Sequence, residues 1–383
     1  MDFTLSPEQA ALAEAVTRFT ADQYRFEDRK AVIAGPDGFS HGHWKAFAEL
    51  GWMGAGLPEE DGGFGGSAIE NAIIMEAFGR ALVVEPFLAH AVLSLQTLHA
   101  LPRSQQRAAL IEAAVAGDEL IVLAHGEPEA WGATSYVETR AVPLDDGGFL
   151  LTGHKSRVLG ASGADRLLVS ARTGGAAVDR GTVGLFLVDP GAPGLRRQDY
   201  RLVDNSRVAD LWLENVRGEL FPEAHDALPA IEAGTDHAIV CACAEALGAM
   251  DTALWQTRDY LKSRKQFGTT LNHFQALQHR MADMLVEVEL ARSMLYQGLA
   301  ALDAPSAERR RRVSAAKVAI SRAGLFVGGN AIQLHGGIGM TEELAIGHYY
   351  KRLWVLASLF GDATHHLAAV VAATPIAPLP PDV

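Results

Sequence analysis

The chain reads GGNAIQLHGGIGM at residues 328–340 and SRKQFG at residues 263–268, and these two stretches say most about its fold. The first is a glycine-dense turn that follows a long apolar helical run. The second places two cations, an aromatic ring and a glycine at the end of another predicted helix. So many glycines in one turn indicate a backbone that approaches something closely. We interpret that something as a pyrophosphate, because consecutive backbone amides and the guanidinium of Arg264 both bind anions.

The glycines at positions 336, 337 and 339 do not form a Rossmann fingerprint. That motif lies after a strand and before a helix, whereas a predicted helix precedes these glycines. A helix needs only one glycine to end, and Gly336 as a left-handed cap is the simpler interpretation. On the residues alone, a plain helix stop and an anion-binding turn both stay open.

Length and composition restrict the class of protein. The 383 residues are enough for two or three domains around a large buried core. The net charge of −13 argues against a general binder of nucleic acid or anionic membranes, because such proteins carry a basic stripe. No spacing of His, Cys and Asp suggests zinc. Cys241 and Cys243 are interpreted as small buried side chains of a helix, with a disulfide or metal pair as the less favoured alternative.

The N-terminal sequence predicts a capped helix and not a signal peptide. Ser6 is placed to cap the helix, Pro7 occupies its first turn, and Gln9 completes a capping box. This pattern differs from the basic segment and apolar core of a secretory signal. We expect no apolar run of membrane-spanning length and therefore a cytoplasmic protein.

The predicted elements follow the order α, then β, then α. Residues 1–118 are predicted to be helical, with a glycine-rich loop at residues 57–66. Residues 119–225 contain short β-branched runs separated by Gly, Asp and Pro, which indicates a small all-β module of hairpins. Residues 226–383 contain long helices, including single predicted helices over 307–334 and 342–372, which favours a bundle.

Several segments carry a resemblance to a known family. RKQFG at 264–268, HFQALQHRMADM at 273–284 and QLHGGIGMTEE at 333–343 resemble the C-terminal half of the acyl-CoA dehydrogenase family. LPEEDGGFGG at 57–66 resembles that family's N-terminal loop, and GHYYKRL with LFGDATHHL is similar to the pimeloyl-CoA dehydrogenase small-subunit type. The resemblance implies an α+β fold with an N-terminal helical domain, a middle β-barrel and a C-terminal four-helix bundle.

The resemblance also implies FAD, lying between the β domain and the bundle with its ADP half at a neighbouring subunit. It assigns one side of the ADP half to Arg264, Phe267 and Gln275 of one subunit. It assigns the other side to a turn of a second subunit, formed by Gln333, Leu334, His335, Gly336 and Gly337. The last flavin contact is assigned to the start of a C-terminal helix, at Ala363, Thr364 and His365. Leu159 stands where the family has a threonine beside the flavin, so its backbone amide would serve instead.

The family's reaction removes the α-proton of an acyl thioester with a glutamate while the β-hydrogen leaves as hydride. Gly361 stands where that glutamate is expected, and Ala238 occupies the position that a minority of members use. Asp362, next to the usual position, is the first candidate for a displaced base, and Glu245 is the second. The residues alone favour a structural interpretation of both, with Asp362 as a helix cap or ion-pair partner and Glu245 as part of a structural ion pair in the bundle.

Three functions follow from the resemblance and stay open. In the first, the chain is an active acyl-CoA dehydrogenase that forms a trans-2-enoyl-CoA and passes electrons to an electron-transferring flavoprotein. In the second, it is the smaller, noncatalytic subunit of a heterotetramer whose partner carries the glutamate. In the third, the same fold serves a flavin oxidase or monooxygenase. The first two imply a homo- or heterotetramer built as a dimer of dimers, with an acyl-CoA as the substrate.

Overall fold

A computed structural model describes residues 4–221 and 224–374. It contains an N-terminal helical domain, a middle β domain and a C-terminal helical domain, in the order that the sequence predicts. The sequence also predicts a proline-rich terminal extension over residues 374–383, of which residues 375–383 lie outside the described residues.

The N-terminal domain packs its helices around aromatic side chains. Its first helix begins as predicted, since the Ser6 side chain accepts from the Gln9 backbone and the Gln9 side chain returns to the Ser6 N–H. Phe47, Phe78 and Phe87 are buried in contact with one another. The helices are α1 (Pro7–Gln23), α2 (Phe26–Ala34), α3 (His41–Glu49), α4 (Ala68–Ala81), α5 (Leu95–His99) and α6 (Gln105–Val115), and a π-helical turn, Leu88–Ser94, leads into α5.

The middle domain is a closed sheet. Its strands are β1 (Ile121–Ala124), β2 (Arg140–Pro143), β3 (Phe149–Leu159), β4 (Arg166–Arg172), β5 (Val183–Val188), β6 (Leu195–Arg201) and β7 (Arg207–Leu220). Strand β4 pairs with both β2 and β5, and β3 and β7 connect these two, so that five strands form a barrel. Strand β6 escaped the sequence analysis because its residues are polar and mostly exposed along the edge of β7.

The C-terminal domain consists of long helices joined by short turns. They are α7 (Leu228–Ser263), α8 (Gln275–Leu299), α9 (Ser306–His335), α10 (Ala345–Ser358) and α11 (Ala363–Ala373), with a small hairpin of β8 (Lys265–Gln266) and β9 (Thr269–Thr270) between α7 and α8. The predicted helix over 307–334 is confirmed as α9. The single helix predicted over 342–372 is wrong, because Phe360 (φ 59°) and Gly361 (φ 104°) adopt left-handed conformations that separate α10 from α11.

Helices α4 and α7 cross with their backbones in direct contact. A Cβ added at Gly248 would lie 1.9 Å from the Glu76 carbonyl oxygen, and one added at Gly79 would lie 2.0 Å from the Glu245 carbonyl oxygen. Such distances leave no space for a side chain on either glycine. The crossing therefore fixes the N-terminal domain against the longest helix of the C-terminal domain.

Two helical stretches of the described residues are long and apolar enough to cross a membrane, by length and composition alone. This corrects the expectation that no apolar run reaches that length. The first, Leu228–Ser263, is α7, whose most apolar window is 83% buried, and a buried core helix passes the same test. The second, Ala345–Ala373, is interrupted by the break between α10 and α11. Such stretches are weak evidence for a membrane span.

Substituting Gly248→Ala tests the helix crossing. We expect a loss of about 1–3 kcal/mol in the free energy of unfolding, because the added methyl group overpacks the contact with α4. Denaturant titration of the folded chain measures this loss. The matched control is Gly42→Ala on α3, where a Cβ meets only the Ser40 hydroxyl at 3.6 Å. It should be neutral or stabilising by up to about 1 kcal/mol. Equal effects of the two substitutions would contradict the close crossing.

Candidate active site and dinucleotide cleft

A cavity of about 630 Å³ lies between the β domain and the break that separates α10 from α11. We call it the junction cavity. The ends of β1 and β3 form one wall, and residues 358–362 with the start of α11 form the other. Five residues that the sequence analysis singled out line it together: Leu159, Gly361, Asp362, Thr364 and His365. Ala363, predicted as a flavin contact, lies between two lining residues but is not itself one of them, and its assignment stays a prediction.

A buried ion pair stabilises the β-domain wall of the junction cavity. The Lys155 ammonium lies 2.6 Å from Glu127 Oε1, and neither side chain is more than 3% exposed. The Thr139 hydroxyl and the backbone N–H groups of Thr139 and Glu138 also donate to this carboxylate. Burial alone would raise the pKa of Glu127, but the Lys155 charge and these hydrogen bonds hold it below its usual range. Glu127 is therefore held as an anion, and both of its oxygens accept hydrogen bonds from the protein.

Asp362 is the other carboxylate that lines the junction cavity among the described residues. Its Oδ1 accepts a hydrogen bond from the His365 N–H at 2.8 Å. Asp362 therefore caps α11, as its interpretation as a helix cap predicts. Its Oδ2 has no hydrogen-bond partner among the described residues. One oxygen of Asp362 is thus engaged by the helix, and the other is open to the cavity.

Gly361 occupies a position that cannot hold a glutamate in this backbone. Its φ of 104° is unfavourable for any residue with a Cβ. A Cβ there would also lie 2.6 Å from Cδ2 of His365 and 3.2 Å from Nε2 of His366. The two histidine rings therefore occupy the space that the family's usual base would need.

Glu245 does not line the junction cavity, and its assignment as a candidate base is wrong. Both of its carboxylate oxygens accept from the Arg352 guanidinium, at 2.6 and 2.7 Å. Arg352 also donates to Asp204 at 2.8 Å, and Glu245 and Asp204 are almost completely buried. A carboxylate held in such a bidentate pair is a structural anion between the N-terminal, middle and C-terminal parts of the chain.

A second cleft, of about 440 Å³, lies where α7 ends, α8 begins and α9 ends. We call it the arginine cleft, because Arg264 and Arg280 line it beside the turn at residues 333–337. The Tyr260 hydroxyl donates to the His335 carbonyl at 3.3 Å, and the two rings stack with centroids 4.4 Å apart. These contacts bring both glycine- and arginine-bearing motifs together in one chain. The expectation that two different subunits contribute them is therefore corrected.

The arginine cleft fits an anion. None of its lining residues is acidic, and Arg264 forms no ion pair within the described part of the chain. Arg280 donates to Asn330 at 3.0 Å and remains exposed. A Cβ at Gly336 or Gly337 would meet nothing within 4 Å, so glycine leaves open space beside the guanidinium groups. Two cations around an open glycine turn suit the diphosphate of a dinucleotide.

Arg280 was missed by the sequence analysis, although it lies within the segment HFQALQHRMADM that carries the family resemblance. Phe267 and Gln275, which were predicted to bind the cofactor, do not line the arginine cleft. Phe267 occupies the turn of the β8–β9 hairpin, where its φ of 53° and its edge contact with Phe274 leave it 88% exposed. Gln275 is the exposed first residue of α8.

The junction cavity and the arginine cleft lie at opposite ends of α7. Thr235 lines the first and Arg264, the residue that ends α7, lines the second. The 29 positions between them correspond to about 43 Å at 1.5 Å per residue. This separation is greater than the length of one extended dinucleotide.

Comparison with known proteins assigns the family. Residues 6–118 match the model described as "Acyl-CoA dehydrogenase, N-terminal domain", and residues 228–373 match "Acyl-CoA dehydrogenase, C-terminal domain". The chain belongs to the acyl-CoA dehydrogenase family of oxidoreductases.

Individual relatives align along nearly the whole chain. The probable acyl-CoA dehydrogenase YngJ of Bacillus subtilis is 28% identical over 381 residues, which cover 97% of this chain and 99% of that protein. A solved variant of the Tcur3481–Tcur3483 steroid ACAD is 28% identical, with a TM-score of 0.86 over 97% of this chain and 98% of the other. The FAD complex of PigA is 24% identical, with a TM-score of 0.88 over 97% and 98%, which shows the fold alone. These relatives do not single out pimeloyl-CoA dehydrogenase, and that narrower resemblance stays a prediction.

Removing the Glu245 carboxylate tests its structural role. In Glu245→Ala, Arg352 keeps a single buried partner, and we expect a loss of about 3–5 kcal/mol in the free energy of unfolding. Glu14→Ala removes an exposed pair with Arg18 and should cost less than about 1 kcal/mol. Denaturant titration of both variants gives the two values. A Glu245 variant of unchanged stability would argue against the buried ion pair.

Proposed function

We propose that this chain is a subunit of an FAD-dependent acyl-CoA dehydrogenase. In this proposal the assembly oxidises the Cα–Cβ bond of an acyl-CoA to the trans-2-enoyl-CoA and passes electrons to an electron-transferring flavoprotein. The observation that carries the proposal is the pairing of a junction cavity with an anion-binding arginine cleft at opposite ends of α7. Membership of the acyl-CoA dehydrogenase family supports the same reaction class.

The separation of the two sites supports a cofactor that is shared between chains. One FAD does not reach from Thr235 to Arg264 of the same chain, since about 43 Å of helix separate them. The junction cavity of one chain would hold the flavin end, and the arginine cleft of a neighbour would hold the ADP end. The proposed enzyme is therefore an oligomer in which each cofactor is shared between two chains.

The residues of the junction cavity have distinct tasks in this reaction. Bound FAD supplies the acceptor for the β-hydrogen. The open Oδ2 of Asp362 takes the α-proton, while Oδ1 stays on the His365 N–H and keeps the carboxylate in place. The backbone N–H groups of Gly361 and Asp362 have no acceptor among the described residues, and they would polarise the thioester carbonyl. Trp131, which is 80% exposed at the cavity edge, would exclude water from the bound ligand.

A second candidate function is favoured by the geometry at Gly361. Because the histidine rings occupy the place of a glutamate side chain, this chain would instead be the noncatalytic subunit of a heteromer. Its arginine cleft would then hold the ADP half of FAD for a partner that carries the base. The name of the Tcur3481–Tcur3483 relative, which joins two components, agrees with such an arrangement.

Mixing the purified, FAD-loaded chain with a panel of acyl-CoA thioesters without oxygen tests the two candidates. If the chain is the catalytic subunit, the flavin bleaches. Asp362→Asn then slows the bleaching by roughly 10²- to 10⁴-fold, because the base is lost. Asparagine still caps a helix well, so stability should be nearly unchanged. The control is Asp22→Asn on the exposed face of α1, which should bleach at the normal rate.

The outcomes of this experiment differ for each candidate. Bleaching that is insensitive to Asp362→Asn would remove Asp362 as the base. Bleaching that occurs only with a co-purified partner chain would establish the second candidate. A loaded protein that is bleached by no acyl-CoA, alone or with any partner, would contradict both.

Substituting Arg264→Gln tests the arginine cleft. We expect FAD to bind roughly tenfold to a hundredfold more weakly, because a charge-assisted hydrogen bond to the diphosphate is lost. Absorbance of the flavin that the protein retains after dilution gives the dissociation constant. Lys262→Gln is the matched control, since Lys262 is exposed on the same helix and does not line the cleft. Equal retention by the Arg264 and Lys262 variants would exclude the cleft as a cofactor site.

A further inference from the structure

A smaller cavity of about 70 Å³ extends from the junction cavity towards the N-terminal domain. We call it the inner cavity. It shares the wall residues Leu159 and Leu359 with the junction cavity, so the two adjoin at these side chains. Its far wall comes from the N-terminal domain, where Phe39 and Glu85 contribute, and from Arg207 at the start of β7. The inner cavity thus adjoins the junction cavity on the side of the N-terminal domain.

Glu85 is a buried carboxylate with one unpaired oxygen in this cavity. Its side chain is 0% exposed, and Oε1 accepts from the Ser40 N–H at 3.2 Å and lies 3.3 Å from His43 Nδ1. Oε2 is buried and has no hydrogen-bond partner among the described residues. Burial raises the pKa of Glu85 to about 7. An unpaired buried oxygen of this kind is costly unless a ligand or a water pairs with it.

Arg207 adds an unpaired donor to the same cavity. Its Nη2 donates to the Gly35 carbonyl at 2.9 Å, whereas its Nε is buried without a partner among the described residues. Two other arginines line this cavity: Arg352 is engaged by Glu245 and Asp204, and the buried Arg29 donates from Nε to the Leu82 carbonyl at 2.7 Å. The inner cavity therefore presents one open acceptor and one open donor at the end of an otherwise satisfied network.

We propose that the inner cavity receives the far end of the acyl chain and that Glu85, with Arg207, recognises a hydroxyl group carried there. This inference rests on the proposed function, which supplies the acyl-CoA. A hydroxyl donates one hydrogen bond and accepts others, so it complements both Glu85 Oε2 and the Arg207 Nε–H. An unsubstituted alkyl end would bury both atoms unpaired.

The size of the inner cavity restricts the group that it takes. Its volume is several times the roughly 10–15 Å³ that one water needs, and far smaller than the junction cavity. A chain end with a small polar group fits this space, whereas a ring system does not.

The test compares pairs of straight-chain acyl-CoA thioesters of equal length, with and without a terminal hydroxyl. Isothermal titration of the FAD-loaded full chain gives their dissociation constants without requiring turnover. We expect the hydroxylated member of a pair to bind roughly tenfold to a hundredfold more tightly, because it pairs the buried oxygen. Equal affinities at every chain length would overturn the inference, since ordered water then satisfies Glu85 and Arg207.

Two substitutions of Glu85 and a control make the test specific. Glu85→Gln keeps hydrogen-bonding capacity and should keep a preference for the hydroxyl, while Glu85→Leu should abolish or invert it. Glu14→Leu, at an exposed position of α1, should leave the preference unchanged. Thermal unfolding of each variant confirms that it is folded. A preference that survives in Glu85→Leu would overturn the inference.

The same materials separate this inference from the proposed function. Flavin bleaching by the unsubstituted thioesters reports on the dehydrogenase activity, and the ratio of dissociation constants reports on the inner cavity alone. If Glu85→Gln abolishes bleaching by both members of a pair without changing their affinities, Glu85 is the base and its role in recognition is overturned. If no acyl-CoA binds at all, the proposed function and the inference fail together.

Discussion

The crossing of α4 and α7 is the constraint on which the other features depend. Gly79 and Gly248 let the two backbones touch, and this contact fixes the longest helix of the chain against the N-terminal domain. Helix α7 then carries Thr235 to the junction cavity and Arg264 to the arginine cleft. A side chain at either glycine would tilt or displace α7 and move both sites at once.

Some buried charges are paired within the protein and others are not. The paired charges stabilise the fold, whereas the unpaired ones indicate a ligand site. Lys155 with Glu127, and Arg352 with Glu245, form complete pairs whose main effect is to hold elements together. Glu85 Oε2 and Arg207 Nε, at the inner cavity, are buried without a partner among the described residues. Because an unpaired buried group destabilises the fold, its presence in a cavity indicates a ligand more strongly than a perfect ion pair does.

The sequence predicted those structural features that depend on residues close together in the chain. The capping box at Ser6, the β-branched runs of the barrel and the long helix α9 are all readable because each depends on near neighbours. The left-handed φ of Phe360 has no such signal, and it divided a predicted single helix. The pairing of Glu245 with Arg352 joins residues 107 positions apart, so the sequence favoured a structural ion pair without identifying the partner and kept a catalytic base as the alternative. Spatial neighbours, not spacing, distinguish them.

A cofactor shared by two chains has a thermodynamic consequence. If the junction cavity of one chain and the arginine cleft of another hold the same FAD, each chain supplies only part of the binding energy. Whatever holds the two chains together then strengthens FAD binding, and FAD strengthens the assembly by the same factor, because linked equilibria are reciprocal. The unpaired guanidinium of Arg264 and the exposed ring of Phe267 agree with a cofactor that is shared between two chains. In this proposal they belong to a half-site, which would be complete only in the assembled protein.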